Sequence, residues 1–319
     1  MREGDGPREA LAHTVSMAQA AEAAGYHRYW IAEHHGHPGI AGSATSVVMG
    51  HMASQTQSIR IGAGGIMLPN HSPFVIAEQF GTLDALYPDR IDLGLGRAPG
   101  ARPDFAHAIR RDTHAAAERF PQDVAELQIY LSGKGEEMGA RMIPSPGEAP
   151  GVETWILGSS LFGAQLAAKL GLPYSFAAHF APQLLDEAVA VYRHRFEPSE
   201  TLSEPKLMVA MAVIGADSDA EAEYLATTLD QAFVAIRTGR PGKLPPPREG
   251  YRDTLPPQAL AMLQGLGAAR AVGSPDTIRQ RIAAMVERTG ADEIMVSGSV
   301  YDPQARIRSL QIAMEASRG

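Results

Sequence analysis

Strand-like and helix-like segments take turns along almost the whole chain, and that alternation limits its possible folds more than any other feature. Residues 8–24 carry the apolar spacing of an amphipathic helix, with Gly25 as its stop. Tyr29-Trp30-Ile31-Ala32 reads as a short strand ending at Glu33. A helix rich in small residues is expected over 43–57, then a strand from Ser58 to Leu68. Pro73 opens a helix that runs to Leu86, proline being favoured in a first turn. Further strands are expected at Arg90–Leu95, Thr154–Leu157, Tyr174–Ala177, 206–214 and Asp292–Ser297, with helices over 113–131, 160–170, 183–196 and 218–236.

Repeated strand–helix alternation implies a parallel sheet with helical crossovers. Seven strands are countable, which an open doubly wound sheet would also satisfy. An α/β barrel is favoured because several strands end in loops that look functional. Residues 132–151 are rich in Gly and Pro and read as a loop. Residues 237–257 carry Pro241, Pro245, Pro246, Pro247, Pro256 and Pro257, and are expected to lack regular structure. They read as an insertion, either an active-site lid or an oligomer contact or plain surface excursion. No fresh core follows, so residues 1–319 are expected to form one domain.

A chain of 319 residues can bury a large core, and 45% hydrophobic with 20% charged residues is ordinary globular composition. The net charge of -8, without a basic block, argues against nucleic acid, which needs clustered Lys and Arg. The absence of cysteine excludes disulfides, thiolate metal sites and cysteine nucleophiles, and fits the cytoplasm. The polar start Met1-Arg2-Glu3-Gly4-Asp5 lacks a signal-peptide core, and no apolar run suggests a membrane span.

Four segments carry possible chemistry. Glu33-His34-His35-Gly36-His37 follows the first visible strand. Adjacent histidines at a strand end point to opposite sides, so at most one of them faces the barrel mouth. An imidazole there suits acid–base work, with an acidic residue to orient it; a polar loop of structural histidines is the plain alternative. A metal is disfavoured, because no second His/Asp/Glu cluster has ligand spacing. Gly62-Ala63-Gly64-Gly65 interrupts an apolar strand, which marks close approach of a ligand to backbone, or a bulge. Gly94-Leu95-Gly96-Arg97-Ala98-Pro99-Gly100 is a near miss to a dinucleotide fingerprint: the last Gly is one place late, and Pro99 and Pro103 disfavour a helix there. Arg97 remains a candidate for a phosphate or carboxylate, or a surface ion pair. Gly158-Ser159-Ser160-Leu161-Phe162-Gly163 joins a strand to a helix, where free N–H groups suit an anion, although an ordinary serine N-cap explains it as well. There is no nucleophile elbow and no P-loop.

Taken together these segments resemble the bacterial luciferase-like flavin monooxygenase family. The matching pieces, in order, are Trp30-Ile31-Ala32-Glu33-His34-His35, Ile61 to Pro69, Leu86 to Arg97, Trp155-Ile156-Leu157-Gly158-Ser159-Ser160, Gly171-Leu172-Pro173, Val272-Gly273-Ser274-Pro275 and Asp292 to Val296. The resemblance implies a TIM-like (β/α)8 barrel that binds reduced FMN and activates O₂ to oxygenate a small organic substrate. It implies His34 as the catalytic histidine beside the flavin, supported by Glu33. It implies a cis peptide at Gly64-Gly65 packed on the flavin ring. Arg97, Gly158, Ser159, Ser160 and Gly163 become cofactor contacts at the phosphate end. A separate flavin reductase and a homodimer are implied too, and some relatives use the deazaflavin F420 in the same pocket. The family opens with a short apolar strand before its first helix. This chain opens on a polar stretch and then that helix, so the barrel is expected to lack its first strand.

Overall fold

In the computed structural model, which describes residues 1–98, 108–109, 112–139 and 142–318, eight strands alternate with helices. The strands are β1 (Arg28–Ile31), β2 (Arg60–Met67), β3 (Ile91–Gly96), β4 (Glu153–Gly158), β5 (Tyr174–Phe176), β6 (Leu207–Gly215), β7 (Arg270–Gly273) and β8 (Glu293–Ser297). The helices are α1 (Pro7–Ala24), α2 (Thr45–Ser54), α3 (Pro73–Leu86), α4 (Thr113–Glu118), α5 (Phe120–Leu131) and α6 (Leu161–Leu170). They continue with α7 (Leu185–His194), α8 (Asp219–Arg237), α9 (Pro257–Gln264), α10 (Pro275–Thr289) and α11 (Pro303–Arg318). Pro99, Gly100 and Pro103 of the near-miss glycine motif lie outside the described residues.

All strand pairs among the described residues are parallel. The wall runs β1-β2-β3-β4-β5-β6, and β8 follows by pairing Met208–Ala212 of β6. The last residues of β6, Ala212 to Gly215, pair instead with β7. β6 is therefore shared by three neighbours, and each of its nine residues is buried. Its unbroken apolar run is what a strand covered on both faces requires. The seven strands expected from sequence all form, and β7 is the eighth. Four residues between a 3-10 turn and Gly273 are too few to show a period.

The expected gap is present in the wall. β1 bonds only β2 and β8 bonds only β6, so the barrel has an open seam between them. Arg28 and Glu293, the first residues of these two edge strands, reach across it with Nε–Oε2 at 2.8 Å. Outside the seam, Tyr26 donates to the Leu310 carbonyl at 2.8 Å and Arg318 to the Ala24 carbonyl at 2.9 Å, which ties α1 to α11.

The N-terminal ends of the strands carry a lattice of charges. Fully buried Asp92 accepts from Arg28 at 2.6 Å, Arg60 at 2.7 Å and Trp30 Nε1 at 2.8 Å. Glu153 accepts from Arg28 at 3.0 Å and from Lys206 at 2.5 Å. With charged groups paired at this end, the opposite, C-terminal end is where a ligand site is expected.

Two expected elements differ in detail. The helix expected over 113–131 breaks into α4 and α5, because Pro121 sits in the first turn of the second and cannot supply the N–H that a continuous helix needs. The proline-rich 237–257 stretch is not free of structure. Its residues Tyr251–Thr254 form a 3-10 turn, and Leu244 makes an isolated bridge to Arg2. It is strapped to α8 by Thr228 Oγ1 donating to the Pro245 carbonyl at 3.1 Å and by the Arg248 amide donating to Thr227 Oγ1 at 2.8 Å. None of its residues lines the main cavity. No helix among the described residues is long and apolar enough to cross a membrane.

Candidate active site

A cavity of about 990 Å³ opens among the C-terminal ends of the strands and extends down the seam between β1 and β8. His34, Gly64, Gly65, Arg97, Gly158, Ser159, Ser160 and Gly163 all line it, although they are spread over 130 residues of sequence. Glu33, the other catalytic residue expected from sequence, does not.

His34 sits three residues past the end of β1 and is half-buried. Burial first, then the nearby His37, push its imidazole below the ordinary histidine range, so it is neutral at physiological pH. Its Nδ1 is buried and has no hydrogen-bond partner among the described residues. A neutral ring with an unpaired nitrogen at a cavity wall is suited to exchange a proton with a bound molecule.

Glu33 takes a different role from the one expected. It is 1% exposed and makes no hydrogen bond to His34. Its Oε1 is 2.7 Å from His35 Nε2 and 2.9 Å from His71 Nε2, and its Oε2 accepts from the Met67 amide at 3.0 Å. The carboxylate thus staples the end of β1 to the end of β2. Burial raises its pKa, but bonds from His71, His35 and the Met67 amide outweigh burial and hold it below the ordinary glutamate value. The two histidines do part company as strand alternation requires: His34 lines the cavity and His35 turns to Glu33.

Glu33, His35 and His71 place three ligand-type atoms within 4.8 Å of one another, a cluster hidden in the sequence because His71 lies far from the other two. The separations are those of hydrogen bonds in which each Nε2 carries the proton. In such bonds the carboxylate accepts from both imidazoles, which makes a clamp, and the same three atoms are also close enough together to hold a metal ion.

The Gly64-Gly65 peptide is cis. A Cβ at Gly65 would stand 2.6 Å from the Gly94 carbonyl oxygen, and one at Gly64 would stand 3.0 Å from the Trp30 ring. This part of the wall is bare backbone because no side chain fits, and it offers a flat face to a planar ring.

At the other end of the cavity, Ser160 occupies the N-cap position of α6, with extended backbone (φ -143, ψ 168). Its side chain makes no capping bond, so the plain serine-cap explanation does not hold. The first-turn N–H groups of a ten-residue helix are left without a side-chain acceptor, which is an anion site by helix-dipole physics. Arg97, exposed just beyond β3, stacks on Phe162 of the same helix with Cζ 4.0 Å from the ring centroid. A Cβ on Gly163 would press on the Tyr174 ring at 3.3 Å and touch the Cα of Gly158 at 3.5 Å, an ordinary contact.

Sequence reasoning passed over His179, which also lines the cavity. It follows the end of β5 by three residues, the same offset at which His34 follows β1. That shared offset was the available signal. Trp30, Phe162 and Phe180, further ring-bearing walls, were missed as well.

Comparisons with known proteins bear on the family and the fold. A family model described as luciferase-like monooxygenase matches residues 2–293. A protein of Escherichia coli (strain K12) called "Luciferase-like monooxygenase" is 47% identical over 313 residues, covering 98% of this chain and 93% of that one. The structure titled apo-MsnO8 is 34% identical with a TM-score of 0.88, covering 99% of this chain and 95% of the other. The oxygenating constituent of 3,6-diketocamphane monooxygenase from Pseudomonas putida, a type II Baeyer-Villiger monooxygenase in complex with FMN, shares the fold with a TM-score of 0.71 at 20% identity, covering 99% of this chain and 95% of the other.

Proposed function

The chain belongs to the luciferase-like monooxygenase family, and we propose that it is an FMN-dependent monooxygenase that oxygenates a small organic molecule. One observation carries the reading. A single cavity brings together a neutral histidine, a bare cis-glycine wall, and an uncapped helix start with an arginine beside it. The residues fit FMN. The N–H groups of α6 with Ser159, Ser160 and Arg97 suit its phosphate. Gly64 and Gly65 leave room for the flat ring. A cavity of about 990 Å³ falls at the upper end of the range for cofactor and ligand sites.

Reduced FMN supplies the electrons with which O₂ is split between substrate and water: reduced FMN, O₂ and substrate give oxidised FMN, oxygenated substrate and water. The protein's part is to hold, orient and shield. Arg97 and the α6 start anchor the cofactor. His34, neutral and turned to the cavity, passes a proton to or from the reacting oxygen through its ring. Glu33 acts at one remove, by fixing the β1–β2 corner on which His34 and Gly65 both sit. The apolar walls keep water away from the chemistry.

In this reading a separate flavin reductase delivers the reduced cofactor, and the enzyme works in the cytoplasm as a homodimer. The test is an aerobic assay with a flavin reductase, FMN and small aldehydes, ketones, thioethers and aromatics, with products read by mass. A product heavier by one oxygen is expected. Flavin oxidised without any such product argues for a flavin-binding barrel with no catalysis, and turnover with F420 alone argues for hydride transfer.

A further inference from the structure

We propose that His179 is the residue that recognises a hydroxyl or N–H group on the substrate. The inference rests on the monooxygenase reading and adds the polar chemistry that its substrate carries.

His179 lies in the wall of the main cavity, just beyond β5. Its Nδ1 is buried and has no hydrogen-bond partner. The Ala210 backbone acts on the ring to raise its pKa against burial, as a carbonyl beside a ring N–H does, and with Nδ1 unpaired we assign that N–H to Nε2. A carbonyl can only accept, so Nε2 carries the proton. In a neutral imidazole this leaves Nδ1 with a lone pair and no hydrogen: it is an acceptor only. Burial pushes the ring down to about 4, so this tautomer persists at physiological pH.

A buried acceptor left unpaired is costly, and a bound molecule that donates to it recovers that cost. The complement of Nδ1 is therefore an O–H or N–H donor. Phe162, Phe180, Met208 and Ala210 line the same cavity, so an apolar body suits the rest of the ligand. Phe180 stands edge-to-face against the imidazole with centroids 4.5 Å apart. It is 45% exposed, and so it turns aside from the ring at little cost in burial. Arg97 and the uncapped start of α6 supply the anion contacts without His179. A donor on the organic substrate and an N–H on the flavin ring share this chemistry, and the experiment separates them.

The experiment uses FMN-loaded protein and two probes of similar size, cyclohexanol and methylcyclohexane, with binding followed by calorimetry. The variants are His179→Phe, which removes the acceptor, and His179→Asn, whose amide oxygen restores one. The proposal expects the alcohol-to-hydrocarbon affinity ratio to fall about tenfold in His179→Phe and to recover in His179→Asn, with FMN affinity unchanged in both. An unchanged ratio overturns it, as does failure of the wild-type protein to bind the alcohol. A loss of FMN affinity in His179→Phe with no change in the ratio assigns the donor to the flavin and also overturns it. Failure of the wild-type protein to bind FMN at all counts against the function reading instead, and is visible before any probe is added.

Discussion

The Glu33 carboxylate lies 2.9 Å from His71 Nε2, and this contact couples the end of β1 to the turn that follows β2. His34 on one side and the Gly64-Gly65 wall on the other hang from the same joint. Glu33→Gln keeps the shape but removes the charge, leaving two imidazole N–H groups with one neutral acceptor oxygen. A loss of about 1–3 kcal/mol in urea unfolding is expected, with catalysis impaired in proportion to how far the corner shifts. An unfolding midpoint equal to wild type would remove the clamp from the account.

His34 should separate binding from turnover. In His34→Phe, oxygenated product should fall by about 10²–10⁴-fold, as for loss of a general acid–base group, while FMN affinity stays within a few-fold. Single-turnover assays beside a fluorescence titration check both. Equal losses in the two would make His34 a binding residue.

Arg97→Met is expected to weaken FMN while sparing riboflavin, which lacks the phosphate. Loss of one charge-assisted contact to phosphate corresponds to about tenfold or more in affinity. The same contact predicts that wild-type FMN binding weakens with salt more than riboflavin binding does. Parallel titrations of the two flavins at low and high salt provide the check.

The depressed histidines set a pH dependence of stability. His34 and His179 are held below their unfolded value of 6.5, His179 down to about 4. Above 6.5 both states are neutral and the two rings contribute no slope. As pH falls from 6.5 towards 4 the unfolded chain takes up a proton at His179 that the folded chain refuses, so stability drops, by up to about 1.4 kcal/mol per pH unit for that ring, and His34 adds to the fall in the same direction. Urea unfolding at pH 7, 5.5 and 4.5 should show this, and His179→Phe should flatten part of the slope.

Arg28 is 3% exposed at its side chain and serves Asp92, Glu153 and Glu293. Arg28→Met leaves fully buried Asp92 with a charge that only Arg60 offsets, and it cuts the Glu293 link across the seam. A loss of about 3–5 kcal/mol is expected by thermal or urea unfolding.

Much of this was legible in the sequence. Strand and helix periods located all seven strands of the wall, whose open seam lies between β1 and β8. The histidine loop, Gly64-Gly65, Arg97 and the Ser159-Ser160 loop stood out because each follows or interrupts a strand, and the family resemblance picked His34 out of its pair. Two things were not legible. Which way a carboxylate turns depends on a residue distant in sequence, and nothing local linked Glu33 to His71. Likewise, the hydroxyl of Ser160 looked like a cap by residue type, and only its rotamer shows that it is not one. β7 escaped because it has just four residues, and His179 because a lone histidine in a loop carries no pattern of its own.

The central claim is that the cavity between His34 and the α6 start is a flavin mononucleotide site. Anaerobic titration of the protein with reduced FMN tests it most directly. The account predicts saturable binding at micromolar or tighter affinity, about -8 kcal/mol or more favourable, lost on substituting Gly65 by a bulky residue and weakened by Arg97→Met. Absence of saturable binding by the wild-type protein, or binding indifferent to both substitutions, would contradict it.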